Sequence, residues 1–383
     1  MAVSRRNFVR TVGIGGAGLS TSYFVGDTES TVAAAQAAAD TDDIIRLSNN
    51  ENNRGPGPKT KAAIQASLTA RMGLGYPPDH VNELTDAIAR LEGIGRNAII
   101  VGTGSGPILE GSVHAFCSTD KALVTAAPTF GSPENTARRI GVPVRLIPVD
   151  KTMALDLDAM AQAATGAGLV YICNPNNPTG LAHTGDAVER IIRRVKDASP
   201  GTAILIDEAY LHYAHDAAVR TVAPLAQQLP GVFVTRSFSK AHGMAGLRLG
   251  YAVGQPETVQ AIARAWQLGS INTLTAAAGI ASLADTQHIA DEIAENARVR
   301  DFTVRAFKSM GYTTLDSHAN YLFVDLKGSA GAFRDACLAA KVQVGRDFPP
   351  FGKSHSRITL GTMDEMRSAI DVFRRVLATA TTA

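Results

Sequence analysis

The chain has 383 residues, of which 45% are apolar and 19% are charged. These values are ordinary for a soluble globular protein and exclude disorder, collagen and coiled coil as descriptions of the whole chain. The chain has 37 Lys and Arg residues and 35 Asp and Glu residues, which gives a net charge of +2. The excess of basic residues that is typical of nucleic-acid-binding proteins is therefore missing. Cys117, Cys173 and Cys337 are not spaced as CxxC. We therefore expect buried thiols and neither a disulfide framework nor a structural zinc site.

The first 40 residues have the layout of an export signal. Arg5 and Arg6 precede a weakly apolar, Gly-rich run at 11–25, and small residues follow at 33–37. The run is too short and too Gly-rich to span a membrane, so no membrane insertion is expected. Paired arginines in this setting resemble the twin-arginine signal of bacteria. We expect residues 1–40 to be this signal, and the protein to be exported to the periplasm or beyond. The alternative is a frayed arm on a protein that stays in the cytoplasm.

The middle of the chain alternates apolar runs with segments of helical periodicity. Runs rich in Val and Ile, separated by amphipathic segments, predict a mostly parallel sheet with helices on both faces, which is an α/β fold. The predicted strands are 98–101, 123–125, 169–173, 203–206, 232–235 and 249–252.

The pattern changes after about residue 255. Helical stretches are predicted at 256–268 and 275–310, followed by strands at 321–325 and 357–360 and a last helix at 364–377. We therefore predict a large domain over residues 72–270. Residues 41–71 and 271–383 are predicted to form a smaller α+β domain.

A Gly-rich turn, Gly-Thr-Gly-Ser-Gly-Pro, follows the first predicted strand at 102–107. Such a turn before a helix exposes backbone N–H groups and the positive end of the helix dipole, which suits a phosphate. Ser105 and Gly106 are the candidate residues. The turn lacks the third glycine of a Rossmann fingerprint and the Gly-Lys-Ser/Thr of a Walker A loop. By itself it is equally consistent with an ordinary turn.

Two polar motifs follow the next strands. Residues 174–180 read Asn-Pro-Asn-Asn-Pro-Thr-Gly, a rigid loop that contains Asn177. Residues 207–210 read Asp-Glu-Ala-Tyr. A carboxylate at the end of a buried strand is unfavourable unless it meets a cation or a strong donor, so Asp207 is a functional candidate. Its structural alternative is a cap on the next turn.

The fourth motif contains a lysine among small and hydroxyl-bearing residues. Ser237, Ser239 and Lys240 lie in a segment that ends at Arg248. Desolvation of Lys240 would lower its pKa and free the amine to attack a carbonyl. Arg248 could clamp a phosphate.

Together these motifs resemble the fold type I pyridoxal-phosphate-dependent aminotransferases of class I/II, with the histidinol-phosphate aminotransferase branch most similar. The resemblance spans residues 44–378 and rests on four motifs in the same order. It implies a large, mostly parallel sheet domain, a smaller α+β domain, pyridoxal 5′-phosphate as cofactor, and a homodimer with shared active sites. The implied reaction exchanges an amino group between an amino acid and a 2-oxo acid.

The resemblance also implies roles for individual residues. Lys240 would form the internal aldimine and move the proton between substrate and cofactor. Asp207 would hold the pyridinium nitrogen protonated. Asn177 and Tyr210 would hydrogen-bond the phenolic oxygen, and Phe130 would stack on the ring. Lys240, Asp207 and Tyr210 are the predicted catalytic residues.

Further residues would hold the cofactor phosphate. The implied groups are the backbone N–H groups of Ser105 and Gly106, the side chains of Ser237, Ser239 and Arg248, and Tyr76 from the neighbouring subunit. No metal is implied.

Three arginines are candidates for substrate binding. Arg357 and Arg346 match anionic anchors of the family. Arg54 departs from the family, since it lies where an apolar or aromatic lid residue is usual. If Arg54 points inward, an acidic or phosphorylated substrate is favoured. If it is a solvent-facing loop residue, it adds nothing, and Glu51 is the one candidate partner for a cationic substrate.

Three functions remain open at this stage. The first is transamination of an amino acid. The second uses the same cofactor chemistry for oxidation, cyclisation or decarboxylation in a specialised pathway. The third is a binding protein without catalysis, which the intact Lys240, Asp207, Asn177 and Arg248 argue against.

Overall fold

A seven-stranded sheet forms the centre of the computed structural model, which describes residues 43–69 and 78–380. The predicted export signal with Arg5 and Arg6, and Tyr76, lie outside the described residues. Among the described residues, none of the helices combines the length and apolar character needed to cross a membrane.

The sheet confirms the predicted α/β architecture. Its strands are β2 (Ile99–Gly102), β3 (Leu123–Ala127), β4 (Val144–Pro148), β5 (Leu169–Cys173), β6 (Ala203–Asp207), β7 (Val232–Ser237) and β8 (Gly250–Gly254). The spatial order is β2-β8-β7-β6-β5-β3-β4, in which β8 runs antiparallel to both neighbours and every other pairing is parallel. Edge strand β4 was not predicted, because its half-exposed residues do not form an apolar run.

Helices cover the sheet and fill the C-terminal third. They are α1 (Pro58–Ser67), α2 (Pro78–Glu92), α3 (Gly106–Phe116), α4 (Ser132–Arg139), α5 (Leu157–Ala163), α6 (Gly185–Ala198), α7 (Ala223–Ala226), α8 (Pro256–Ala265), α9 (Thr273–Leu283), α10 (Thr286–Ser309), α11 (Ala330–Ala339) and α12 (Met363–Ala380).

The single helical stretch predicted at 275–310 is wrong, because the structure has two helices there, α9 and α10. The break is at Asp285, whose backbone leaves the helical region with φ −100° and ψ 59°. Its buried carboxylate pairs with Lys59 at 3.1 Å. Asp has a low helix propensity because its side chain competes for backbone donors. The ion pair therefore stabilises the break between α9 and α10, which the helical periodicity of the sequence did not indicate.

Two smaller sheets are built from strands of the C-terminal third, and one of them includes a strand from the N-terminal segment. β10 (Tyr321–Asp325) is the centre of an antiparallel sheet between β12 (His355–Thr359) and β9 (Thr313–Thr314), while β1 (Ile45–Leu47) pairs in parallel with β11 (Val342–Val344). A separate apolar core joins these strands to α10, α11 and α12, with Phe307, Phe333 and Phe373 in contact. Helix α9 contributes Ala276 and Ala278 to the core under the large sheet. The predicted domain bounds stay a prediction.

Parallel strand order brings the sequence motifs together. β5, β6 and β7 are adjacent, and Cys173, Asp207 and Thr235 are paired across them in register. Because parallel strands end at the same edge, the loops that follow them share one crevice, where open α/β sheets bind ligands.

Candidate active site

Asp207 lies buried at the end of β6 with three donors around its carboxylate. The Tyr171 hydroxyl donates at 3.1 Å, the Thr235 hydroxyl at 3.2 Å and the Ala209 N–H at 3.3 Å. Burial nevertheless raises the pKa of Asp207 to about 6, against these hydrogen bonds. The carboxylate has no ion-pair partner among the described side chains, so a cationic group in the crevice would stabilise its charged form.

Lys240 extends from the loop after β7 towards the N-terminal segment. Its amine donates to the Asn50 carbonyl at 2.9 Å and lies 5.4 Å from the centre of the Tyr210 ring. Burial, assisted by the positive charges of Arg357 and Arg248, lowers the pKa of Lys240 to about 8. A substantial fraction of the amine is therefore neutral near pH 8 and able to attack a carbonyl.

The loop after β5 is held by Asn176, and its neighbour Asn177 faces the crevice. The Asn176 side chain accepts from Thr129 at 2.7 Å and donates to the Pro128 carbonyl at 3.2 Å. Asn177 Oδ1 accepts from Arg357 Nη1 at 2.7 Å. Its amide nitrogen is thereby directed at the Tyr210 hydroxyl, 3.5 Å away. The rigid loop predicted from its prolines thus fixes an amide donor at the site.

The Gly-rich turn and the loop after β7 form a cradle with Arg248 on one side. Ser105 precedes helix α3 at the N-cap position without a side-chain capping hydrogen bond, and its neighbour Gly104 has φ +86°. A Cβ at Gly104 would collide with the Arg248 guanidinium. Arg248 Nη1 lies 3.4 Å from the Ser239 hydroxyl, and among the described residues no carboxylate lies within ion-pair distance of it. Backbone donors, hydroxyls and an uncompensated cation are suited to a phosphate.

Phe130 closes one wall of this crevice. The side chain is 39% exposed although it is aromatic, and it lines a cavity of about 130 Å³ that also reaches Asp207, Tyr210 and Lys240. The rest of the lining consists of Ser105, Ser237, Ser239, Cys173 and Ala209. An aromatic side chain, a buried carboxylate, an amine and several hydroxyls thus line one cavity, a set of groups that would hold a heteroaromatic ring bearing a carbonyl and a phosphate.

Arg357 and Arg346 form a cationic cluster beside the cavity. Their guanidinium carbons lie 4.8 and 4.6 Å from the centre of the Phe348 ring. Arg357 is 7% exposed, and its Nε has no hydrogen-bond partner. Its Nη2 donates to the Ser48 carbonyl. No carboxylate among the described residues pairs with Arg357, so this buried cation lacks a counter-ion that a ligand could provide.

Arg54 has a different environment from the one its sequence position suggests. Its Nε donates to Glu292 Oε2 at 2.6 Å, and Glu295 lies 4.0 Å from its Nη1. The Arg54 side chain is 27% exposed and that of Glu292 is 2% exposed. Arg54 is thus neither a free solvent-facing residue nor an uncompensated cation. A direct role in substrate binding stays a prediction, with its charge offset by Glu292.

Comparisons with known proteins agree with this geometry. The family described as aminotransferase class I and II matches residues 42–373. The chain belongs to this family. The aminotransferase is 32% identical to the histidinol-phosphate aminotransferase of Symbiobacterium thermophilum, with 88% of this chain and 91% of that protein covered. It is 34% identical to the aromatic amino acid aminotransferase of Rhodococcus opacus, with 84% and 87% covered.

A solved structure supports the same fold. The histidinol-phosphate aminotransferase of Sinorhizobium meliloti, solved in complex with pyridoxal 5′-phosphate, superposes with a TM-score of 0.81 at 24% identity, covering 88% of this chain and 91% of that one. The cofactor of this aminotransferase is pyridoxal 5′-phosphate. Bound in the crevice, it supplies an aldehyde that condenses with amines and a ring that accepts electrons from the substrate α-carbon.

The side chains of the crevice would transfer protons and hold the cofactor. Lys240, with its lowered pKa, can take and return a proton at its Nζ. Asp207 would supply a buried negative charge that stabilises a protonated ring nitrogen. The cradle at Ser105, Ser239 and Arg248 would hold the phosphate.

Several residues of the site were missed in the sequence. Asn50 accepts from the Lys240 amine and is itself hydrogen-bonded to Thr359 and Asn320. Phe348 and Glu292 contact Arg357 and Arg54. Asn50 and Thr359 lie in the segments that carry Glu51 and Arg357, but they are 309 positions apart, so their contact leaves no local pattern.

Proposed function

We propose that this aminotransferase exchanges amino groups between a 2-oxo acid and an amino donor of net negative charge, in which a side-chain carboxylate or a phosphate supplies the extra charge. The observation that carries the proposal is Arg357, a buried guanidinium with an unpartnered Nε beside Lys240. Arginine presents a planar fork that matches carboxylate and phosphate oxygens. A carboxylate or phosphate of the substrate would be the counter-ion that Arg357 lacks among the described residues.

A second anionic contact supports a substrate with more than one negative group. Arg346 and Arg357 both contact the Phe348 ring. Burial and, to a smaller extent, the positive charge of Arg346 lower the pKa of Arg357. Two close cations attract a dianion more strongly than a monoanion. The similarity to histidinol-phosphate aminotransferases and aromatic amino acid aminotransferases supports phosphate-bearing and aromatic substrates as the first to test.

The test is a substrate panel with purified holoenzyme. Glutamate, O-phosphoserine, histidinol phosphate and phenylalanine are compared with arginine and lysine, each with and without a 2-oxo acid and dioxygen. The oxo acid is oxaloacetate for glutamate, because 2-oxoglutarate would only regenerate glutamate, and 2-oxoglutarate for the other substrates. Glutamate-like or phosphate-bearing substrates are expected to give the highest kcat/KM. Arginine or lysine reacting best would overturn the proposal. Ammonia and peroxide formed without an oxo acid would instead indicate oxidation.

We also propose a homodimer in which Tyr76 reaches the partner's cofactor phosphate. The proposal rests on the family resemblance around Tyr76 and on the prevalence of twofold assemblies among soluble oligomers. The exposed Leu68 and Leu91 are 57% and 56% accessible. Leu68 follows the last residue of α1 and Leu91 lies in the last turn of α2, so both present apolar surface that a partner subunit could cover.

Export by the twin-arginine route is proposed for the location. Support comes from the order of Arg5 and Arg6, an apolar run and small residues in the sequence. This route carries folded proteins, which suits an enzyme that acquires its cofactor before export.

A further inference from the structure

Asn50 joins the N-terminal segment to the lysine and tyrosine of the cavity. The residue is 1% exposed and has φ 56°, a left-handed conformation that asparagine tolerates better than most residues. Its carbonyl accepts from the Lys240 amine at 2.9 Å and from Asn320 Nδ2 at 3.1 Å. Its side chain points the other way, towards Tyr210 and Thr359.

Thr359 fixes which end of the Asn50 amide faces the tyrosine. The Asn50 N–H donates to Thr359 Oγ1 at 2.9 Å, so the threonine hydroxyl proton is available for Asn50 Oδ1, 3.1 Å away. With Oδ1 accepting from the threonine, Nδ2 is the end that reaches the Tyr210 hydroxyl at 3.0 Å. The network of donors and acceptors therefore sets the amide orientation.

Tyr210 receives a second donor from the opposite side. Asn177 Oδ1 is engaged by Arg357, so Asn177 Nδ2 is the end that donates to the Tyr210 hydroxyl at 3.5 Å. Both amides therefore donate to the Tyr210 oxygen, whose own O–H is the one donor of the group. No described residue accepts its proton. The remaining direction is the cavity that Tyr210 lines.

We propose that Asn50 is a positioning residue that orients the Tyr210 hydroxyl proton into the cofactor cavity. A proton held there donates to an anionic oxygen on the cofactor ring and stabilises its charged form. Asn50 acts through Tyr210 and needs no contact of its own with cofactor or substrate. The inference rests on the cofactor assignment and does not depend on the proposed substrate.

The test replaces the Asn50 donor by an acceptor of the same shape. In Asn50→Asp the new carboxylate tolerates the positive φ but accepts the Tyr210 proton, turning it away from the cavity. The readout is the pH midpoint of the absorption change of the bound cofactor, measured in holoenzyme without substrate. We expect Asn50→Asp to raise this midpoint by about 1 to 2 pH units, because loss of a hydrogen bond to the anionic oxygen favours protonation.

A double-mutant cycle with Tyr210→Phe separates orientation from charge. The added carboxylate repels negative charge directly, and this part of the shift persists when the hydroxyl is absent. The part of the shift that comes from orienting the hydroxyl proton is lost in Tyr210→Phe. The shift caused by Asn50→Asp is therefore expected to fall by at least half in the Tyr210→Phe background. An equal shift in both backgrounds, or no shift in the wild-type background, would overturn the proposal.

Two further variants keep the test independent of folding. Asn52→Asp makes the same substitution two residues away, keeps the oxygen that accepts from the Arg54 N–H at 3.0 Å, and is expected to leave the midpoint within about 0.3 pH units. Thr359→Val removes the hydroxyl that fixes the Asn50 amide while adding no charge. It is expected to raise the midpoint in the same direction as Asn50→Asp, and an unchanged midpoint in this variant would count against Asn50 orientation.

Discussion

Glu292 Oε2 accepts a hydrogen bond of 2.6 Å from Arg54 Nε, and Glu292 Oε1 accepts one of 3.0 Å from the Tyr213 hydroxyl. The carboxylate thus links helix α10 to two segments that reach the active site. Arg54 belongs to the N-terminal segment that contains Asn50, and Tyr213 follows Tyr210 by three residues. This nearly inaccessible carboxylate therefore has two donors, one of them a charged guanidinium.

Arg54→Leu is expected to destabilise the protein, because it leaves the buried Glu292 charge without its cation. A loss of about 2–3 kcal/mol in the free energy of unfolding is expected. Adding Glu292→Gln to Arg54→Leu should recover part of that loss, because the stranded charge is removed. Urea unfolding measures both effects. If Arg54 also contributes to substrate binding, Arg54→Leu will lower kcat/KM for anionic substrates more than for phenylalanine, and an equal change would remove Arg54 from that role.

The lowered pKa of Lys240 predicts how apoenzyme recombines with its cofactor. The amine reacts only when neutral, so the rate of yellow-colour formation should rise with pH through a midpoint near 8 and level off above it. A lysine of ordinary pKa would give a rate that keeps rising past pH 10. Lys240→Ala should lose the colour and essentially all turnover. Borohydride reduction and peptide mapping identify the modified lysine, and a pyridoxyl group on another lysine would contradict the assignment.

Asp207→Asn should retain the cofactor but lose most of its activity. The amide is similar in shape and keeps an oxygen for the Thr235 hydroxyl, but it lacks the negative charge that holds a ring nitrogen protonated. A decrease in kcat on the order of 10²-fold or more is expected. Cofactor content by absorbance and turnover with the best substrate of the panel are the measurements. Thr235→Val, which removes one donor and leaves the charge, is the milder comparison, and full activity in Asp207→Asn would exclude the role.

The proposed dimer predicts that Tyr76→Phe weakens cofactor binding without removing it. A lost hydrogen bond to a phosphate corresponds to roughly 1.5–3 kcal/mol, or about 10- to 150-fold in the dissociation constant. Equilibrium dialysis measures the affinity, and sedimentation measures the mass. A fully active monomer at assay concentration would contradict both the dimer and the shared site.

Export predicts a location that depends on two residues. Replacing Arg5 and Arg6 with Lys should keep the protein inside the cell, whereas the native form should be found outside the cytoplasmic membrane, shortened near Ala35 or Ala37. Cell fractionation and N-terminal sequencing give the answer. Native protein that still carries residues 1–30 would count against export.

The sequence alone determined the fold class and the cofactor family, and it singled out most of the residues that line the cavity. Lys240, Asp207 and Asn177 could be found because each lies in a short motif directly after a buried strand. Parallel strands end at one edge of a sheet, so local motifs at those ends meet in space whatever the rest of the chain does. Edge strand β4 and the break at Asp285 were missed because half-exposed strands and single buried ion pairs leave no periodic pattern.

Tertiary structure alone decided the polarity of the site. The sequence shows Arg54 as a positive charge, but Glu292, 238 positions away, offsets it. It shows Asn50 as one polar residue in a turn, but Tyr210 and Thr359, 160 and 309 positions away, make it a directed donor. The direction of a hydrogen bond and the net charge felt in a pocket depend on which groups meet there. These contacts depend on packing between segments that are distant along the chain, and no local sequence pattern indicates them.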